Sequence, residues 1–178
     1  MRCNATWLGG SAVHEALSDT GPVLHIHEIE CSTALCIFDR LALPELVAEE
    51  LRAYHIEPTA LEVLGLEISI HPVERETWAA VMTHHPQLHP ADAQIVVLAL
   101  QSPQPRPVLT DDLALRKHLE HEGITVVGTV GLLIRAYTVE RLTRPELEGA
   151  IDKLFTQSTL YLSRAFRTYI RHLIRALP

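Results

Sequence analysis

The chain has 178 residues and a mass of 19.9 kDa, enough for one α/β domain with a helical appendage. Apolar residues make up 47% and charged residues 21%, which excludes a disordered chain and a coiled coil. A net charge of −7 at pH 7 rules out nucleic-acid binding through bulk charge and confines any such contact to a local patch.

In chain order, Glu15 to Ser18 reads as a short strand ending at Asp19-Thr20-Gly21-Pro22. Helical turns run from Val23 to about Phe38, followed by a short segment, Arg40 to Leu43. Pro44 opens a helix to about Ala53, since proline suits a first helical turn. Leu66 to Ile70 alternates like a strand, and Glu74 to Met82 has helical spacing. Pro90 opens a strongly apolar helix through Gln101. Pro107 to Thr110 is a strand ending at Asp111-Asp112, and a helix follows from Leu113 to Glu122, where Gly123 ends it. Ile124 to Val127 is a buried strand, after which Thr129 caps another helix. Pro145 to Leu177 reads as helical throughout. Strands alternating with helices imply a parallel sheet, whose ligands bind at the carboxyl ends of the strands.

Several functions are excluded by spacing. Cys3, Cys31 and Cys36 are odd in number and form no C-x-x-C pair, so a disulfide framework and a zinc ribbon are disfavoured. Eleven histidines include His25-x-His27 and His84-His85, but no H-E-x-x-H motif occurs. No phosphate-binding G-x-x-x-x-G-K-[ST] loop occurs, and Gly128-x-x-Gly131 is too sparse for a dinucleotide fingerprint. A haloacid-dehalogenase phosphatase needs an aspartate where Gly21 stands. The longest apolar run, Ile95 to Leu100, is far below the roughly 18 residues of a membrane span. The first residues, MRCNATWLGGSAVHEA, lack the apolar stretch of a signal peptide. The expectation is a soluble cytoplasmic protein with no membrane contact.

The acids carry the chemistry. On a helical wheel with Leu46 at zero, Leu46, Val47, Leu51 and Tyr54 span about 0° to 140°; Glu50 falls inside that arc and Glu49 outside it. In the helix from Pro90, Gln94 and Gln101 mark a polar arc, and Asp92 lies on the opposite side among Ile95, Val96 and Ala99. A helix cap accounts for Asp92 taken alone, and a salt bridge for Glu50 taken alone. Together with the acidic strand ends at Asp19 and Asp111-Asp112 they form a set of inward carboxylates, which tolerate one another around a hard divalent cation such as Mg²⁺ or Mn²⁺. Such an ion serves phosphodiester hydrolysis.

The segments ALSDTGPVLHIHEI, ALPELVAEELRA, LHPADAQIVVLAL and PVLTDDLALRKHLEHEGITVVGTVGLLIRA resemble, in order and spacing, the motifs of PIN-domain proteins. The resemblance covers about Ala16 to Ala136. It implies a three-layer α/β/α sandwich with a mostly parallel central sheet, over residues 1–142 with a short extension at 1–14. A helical extension over 143–178 would pack on it. It also implies a Mg²⁺- or Mn²⁺-dependent ribonuclease, of the kind found as toxins in toxin–antitoxin pairs; the alternative is a non-catalytic PIN module that binds RNA or a partner protein. Matched residue by residue, the catalytic acids fall on Asp19, Glu50, Asp92 and Asp112. Asp19, Asp92 and Asp112 would hold the metal, with Asp111 a rival for the last place, and Thr110 would lie against the water and substrate. RNA is the implied substrate, and the partners left open are an antitoxin-like inhibitor and a second copy of the chain.

The tail beyond Leu142 departs from a minimal PIN domain. Arg164, Arg167, Arg171 and Arg175 form one stripe of its last helix, opposite an apolar stripe of Phe166, Ile170, Leu173 and Leu177. A solvated basic face and a contact for RNA phosphates or an acidic partner are both open readings of that stripe.

Overall fold

The computed structural model describes residues 15–177; the expected extension at 1–14 lies outside the described residues. The elements are β1 (Glu15–Ser18), α1 (Thr20–Glu28), β2 (Arg40–Pro44), α2 (Glu45–Ala53), β3 (Glu67–His71), α3 (Arg75–His84), α4 (Pro90–Leu100), β4 (Val108–Leu109), α5 (Leu113–His121), β5 (Val126–Val127), α6 (Thr129–Thr138), α7 (Arg144–Thr156) and α8 (Arg164–Ala176). Short 3-10 helices at Ser32–Ile37 and Pro58–Leu64 complete the connections.

All strand pairings are parallel, in the order β3-β2-β1-β4-β5. A parallel strand must be covered on both faces, and Leu17, Leu41, Leu43 and Leu109 are fully buried. The result is the α/β/α sandwich, with β1 at the centre and its carboxyl end beside that of β4. No helix among the described residues is long and apolar enough to cross a membrane.

Three local expectations change. The helical stretch from Val23 breaks after Glu28, where Glu30 takes a left-handed conformation (φ 55°), and Arg40 to Pro44 joins the sheet as β2. Helix α4 has no polar arc at Gln94: every residue from Ala91 to Val97 is buried, and the Gln94 side chain accepts a hydrogen bond from Leu46 N at 3.1 Å. A helical stretch buried on all sides, as from Ala91 to Val97, defeats a wheel that assumes one solvent face. The tail is two helices, not one. Ser163 starts α8 by accepting from Phe166 N at 3.2 Å, and Thr159 ties the connecting segment to Glu28 of α1 through its N (2.9 Å) and Oγ1 (2.8 Å).

Both tail helices belong to the main core, through Leu147, Ile151 and Leu154 of α7 and Ile170 and Ile174 of α8. Of the expected apolar stripe, Ile170 is buried but Phe166 is 40% exposed, and Ile174 takes the inner place. Alongside, Val130, Ile134, Phe166, Tyr169 and Leu173 line a groove of ≈ 780 Å³ between α6 and α8.

Candidate functional site

The carboxyl ends of β1 and β4 gather acids because helices begin there. Asp19 ends β1 and caps α1, its Oδ1 accepting from Thr20 N at 2.6 Å. Asp92 stands in the first turn of α4 and accepts from His89 N at 2.9 Å. Asp112 caps α5, accepting from Ala114 N (2.8 Å) and Leu115 N (2.7 Å). Three helix N-termini, each favouring an anion, thus meet at one end of the sheet. Capping and clustering are here the same fact.

Side chains join the set. Thr110 Oγ1 donates to Asp19 Oδ2 at 2.8 Å and accepts from Asp112 N at 3.1 Å, so β4 links two of the acids directly. Glu50 receives the Thr20 hydroxyl at 2.5 Å. Its residue is exposed, in contrast to the inward position that the wheel implies, and Tyr54 is 57% exposed. The buried face of α2 centres on Val47, Ala48 and Leu51, and Glu50 lies at its margin, from which a long carboxylate reaches across to Thr20. Glu49 is exposed as well.

The electrostatics match the geometry. Burial pushes the Asp19 carboxyl up from 3.8 to about 7, opposed by the Thr110 hydrogen bond and reinforced by the charges of Asp92 and Glu50. Asp92 is also raised, first by burial and further by Asp112 and Glu50, while the His89 amide opposes the rise. Asp19, Glu50, Asp92 and Asp112 therefore share one field.

Asp111 does not face that cluster. Its carboxylate accepts from Thr129 N (2.8 Å), Thr129 Oγ1 (2.5 Å) and His25 Nδ1 (2.9 Å), toward α6 and α1. Thr129 is consequently the first residue of α6 rather than its cap, which is Gly128. Sequence reasoning also missed Thr20, His25, Gln94 and Arg116, whose roles depend on partners far along the chain. The signals for Thr129 in the sequence are its place at a helix start and in the G-T-x-G stretch, neither of which points to Asp111.

The arginines of α8 divide. Arg167 donates to the carbonyls of Leu162 (3.0 Å) and Phe155 (2.9 Å), and both it and Arg171 lie over the Phe155 ring. Arg164, Arg171 and Arg175 are exposed.

The donors at the strand ends are all oxygens, the chemistry that Mg²⁺ and Mn²⁺ select, and two of the acids are held above their ordinary range by burial. Among the described residues, no three His, Cys, Asp or Glu side chains are placed so that together they could hold a metal ion.

A family model described as a PIN domain matches residues 15–175, a span that includes α7 and nearly all of α8. No curated protein and no solved structure matches the chain.

Proposed function

The chain belongs to the PIN-domain family, and from that premise we propose that it is a Mg²⁺- or Mn²⁺-dependent endoribonuclease. The carrying observation is the gathering of Asp19, Glu50, Asp92 and Asp112 at the ends of β1 and β4, with Asp19 raised to about 7. Asp19, Asp92 and Asp112 would hold the ion, and Glu50 stands at the open rim. When bound, the ion supplies an activated water and neutralises charge on the phosphodiester. The chain's part is to orient: Thr110 fixes Asp19 and the Asp112 amide, and Thr20 fixes Glu50. Exposed Arg164, Arg171 and Arg175 are the proposed phosphate contacts of the tail. The reading extends to a cytoplasmic toxin restrained by an antitoxin-like inhibitor and to a homodimer, and family membership is what supports it.

The open spacing of the acids favours a second reading, a non-catalytic module that binds RNA or protein with the same face. Incubation with mixed RNA, in Mn²⁺ or Mg²⁺ against EDTA, separates the two. The expected result is metal-dependent cleavage leaving 5′-phosphates, lost in Asp19→Asn and Glu50→Gln and kept in Glu49→Gln. Products ending in 2′,3′-cyclic phosphate would exclude attack by water, and RNA bound but uncut would select the module.

A further inference from the structure

Two adjacent acids of one turn face in opposite directions. Asp112 caps α5 and contributes to the field at Asp92. Asp111 turns to the other side, where Oδ1 accepts from Thr129 N (2.8 Å) and Oδ2 from Thr129 Oγ1 (2.5 Å) and His25 Nδ1 (2.9 Å). Thr129 has no exposed surface and begins α6, and His25 is buried on α1. One carboxylate therefore joins the segments that follow β1, β4 and β5.

Arg116 closes the arrangement from α5. Its Nη2 donates to Thr110 O at 3.0 Å and its Nη1 to Val126 O at 3.3 Å, bracing β4 against β5. Space for this contact depends on Gly128: a Cβ there would stand 2.8 Å from Asp111 Oδ1 and 3.1 Å from Arg116 Nη2. The turn so braced carries the Thr110 hydroxyl to Asp19 and the Asp112 amide to Thr110.

We propose that Asp111 is a positioning residue: held by Thr129 and His25, it fixes the Thr110–Asp112 turn so that Thr110 and Asp112 face Asp19 and Asp92, and it is not a metal ligand. This rests on the nuclease reading for its metal test, but the clamp itself is measurable without metal.

Asparagine at position 111 preserves the clamp: its amide oxygen accepts from Thr129 N, and its amide nitrogen donates to the Thr129 hydroxyl oxygen and, once His25 carries its proton on Nε2, to His25 Nδ1. Calorimetric titration of the full chain with Mn²⁺ should leave Asp111→Asn within about threefold of wild type, whereas Asp111→Leu and Thr129→Val lose about ten- to a hundredfold. Thr129→Ser should restore affinity, and Asp112→Asn should lose it. If Asp111→Asn is as weak as Asp112→Asn while Thr129→Val binds like wild type, Asp111 is a ligand and the proposal is overturned.

Hydrogen exchange at the Asp112 amide gives the metal-free readout. Its protection should survive in Asp111→Asn and Thr129→Ser and fall in Asp111→Leu and Thr129→Val. Equal protection in all of them overturns the clamp whatever the titration shows. A wild type that binds no Mn²⁺ yet gives the expected exchange pattern removes the nuclease reading and leaves the clamp in place.

Discussion

The strand ends and the tail both concentrate charge of one sign, and they treat it in opposite ways. At the ends of β1 and β4, Asp19, Glu50, Asp92 and Asp112 accept hydrogen bonds from neutral donors, namely backbone amides and the hydroxyls of Thr20 and Thr110. Burial raises two of these acids, Asp19 and Asp92, against the pull of those hydrogen bonds. On α8, Arg167 is drawn onto two carbonyls, and it and Arg171 lie on the face of Phe155. Charge that the protein itself satisfies is part of the packing. Charge brought together and left raised marks a candidate functional site.

The largest effect that would break this comparison is at Asp19. Its carboxyl ionises near 3.8 in the unfolded chain and at about 7 in the fold, burial being the chief cause. Between those values the unfolded state has released a proton that the fold retains, so the stability of metal-free protein falls as pH rises and levels off above about 7. The loss is on the order of 4 kcal/mol. Asp19→Asn should remove most of that fall, raising the melting temperature near neutral pH while abolishing cleavage. Mn²⁺ should then stabilise the wild type by mass action and the variant far less. Melting curves over about pH 4 to 8 provide the check; identical pH slopes in the two proteins would mean that the strand-end acids are not strained.

A middle-sized effect sharpens the other side. Removing Arg167 strips donors from the carbonyls of Leu162 and Phe155 and takes away one of the two guanidinium groups over the Phe155 ring, so Arg167→Ala should cost about 1–3 kcal/mol. Arg164→Ala, on the exposed face, should stay within about 0.5 kcal/mol. Urea midpoints measure both. Equal midpoints would return Arg167 to the solvated stripe that its spacing alone suggests.

What the sequence made legible follows the range of the interactions. The carboxyl end of β1 was readable, because Asp19-Thr20-Gly21-Pro22 follows Ser18, and the place of Asp19 at that strand end was readable with it. Asp92 was readable as a cap three residues from His89, a local contact. Gln94 was not, because what buries it is the start of α2, far away in sequence. The roles of Asp111 and Asp112 were undecidable for the same reason: the partners that separate them, His25 and Thr129, lie on α1 and α6. The break between α7 and α8 had local signals in Ser158, Thr159 and Ser163, but the apolar pattern on either side concealed them.

The smallest expected effect concerns what remains of the basic stripe. With Arg167 engaged in packing, phosphate contacts from α8 fall to Arg164, Arg171 and Arg175. Each contact to a single strand contributes about 0.7 to the slope of log affinity against log salt, so neutralising all three should flatten that slope by at most about two. Binding is best measured in Asp19→Asn, which should hold RNA without cutting it. Arg167→Ala should weaken the fold and leave the slope where it was, which separates phosphate contact from packing within one helix. If the triple variant and Arg167→Ala give the same slope as the parent, the tail has no part in holding RNA, and its arginines serve packing and solubility alone.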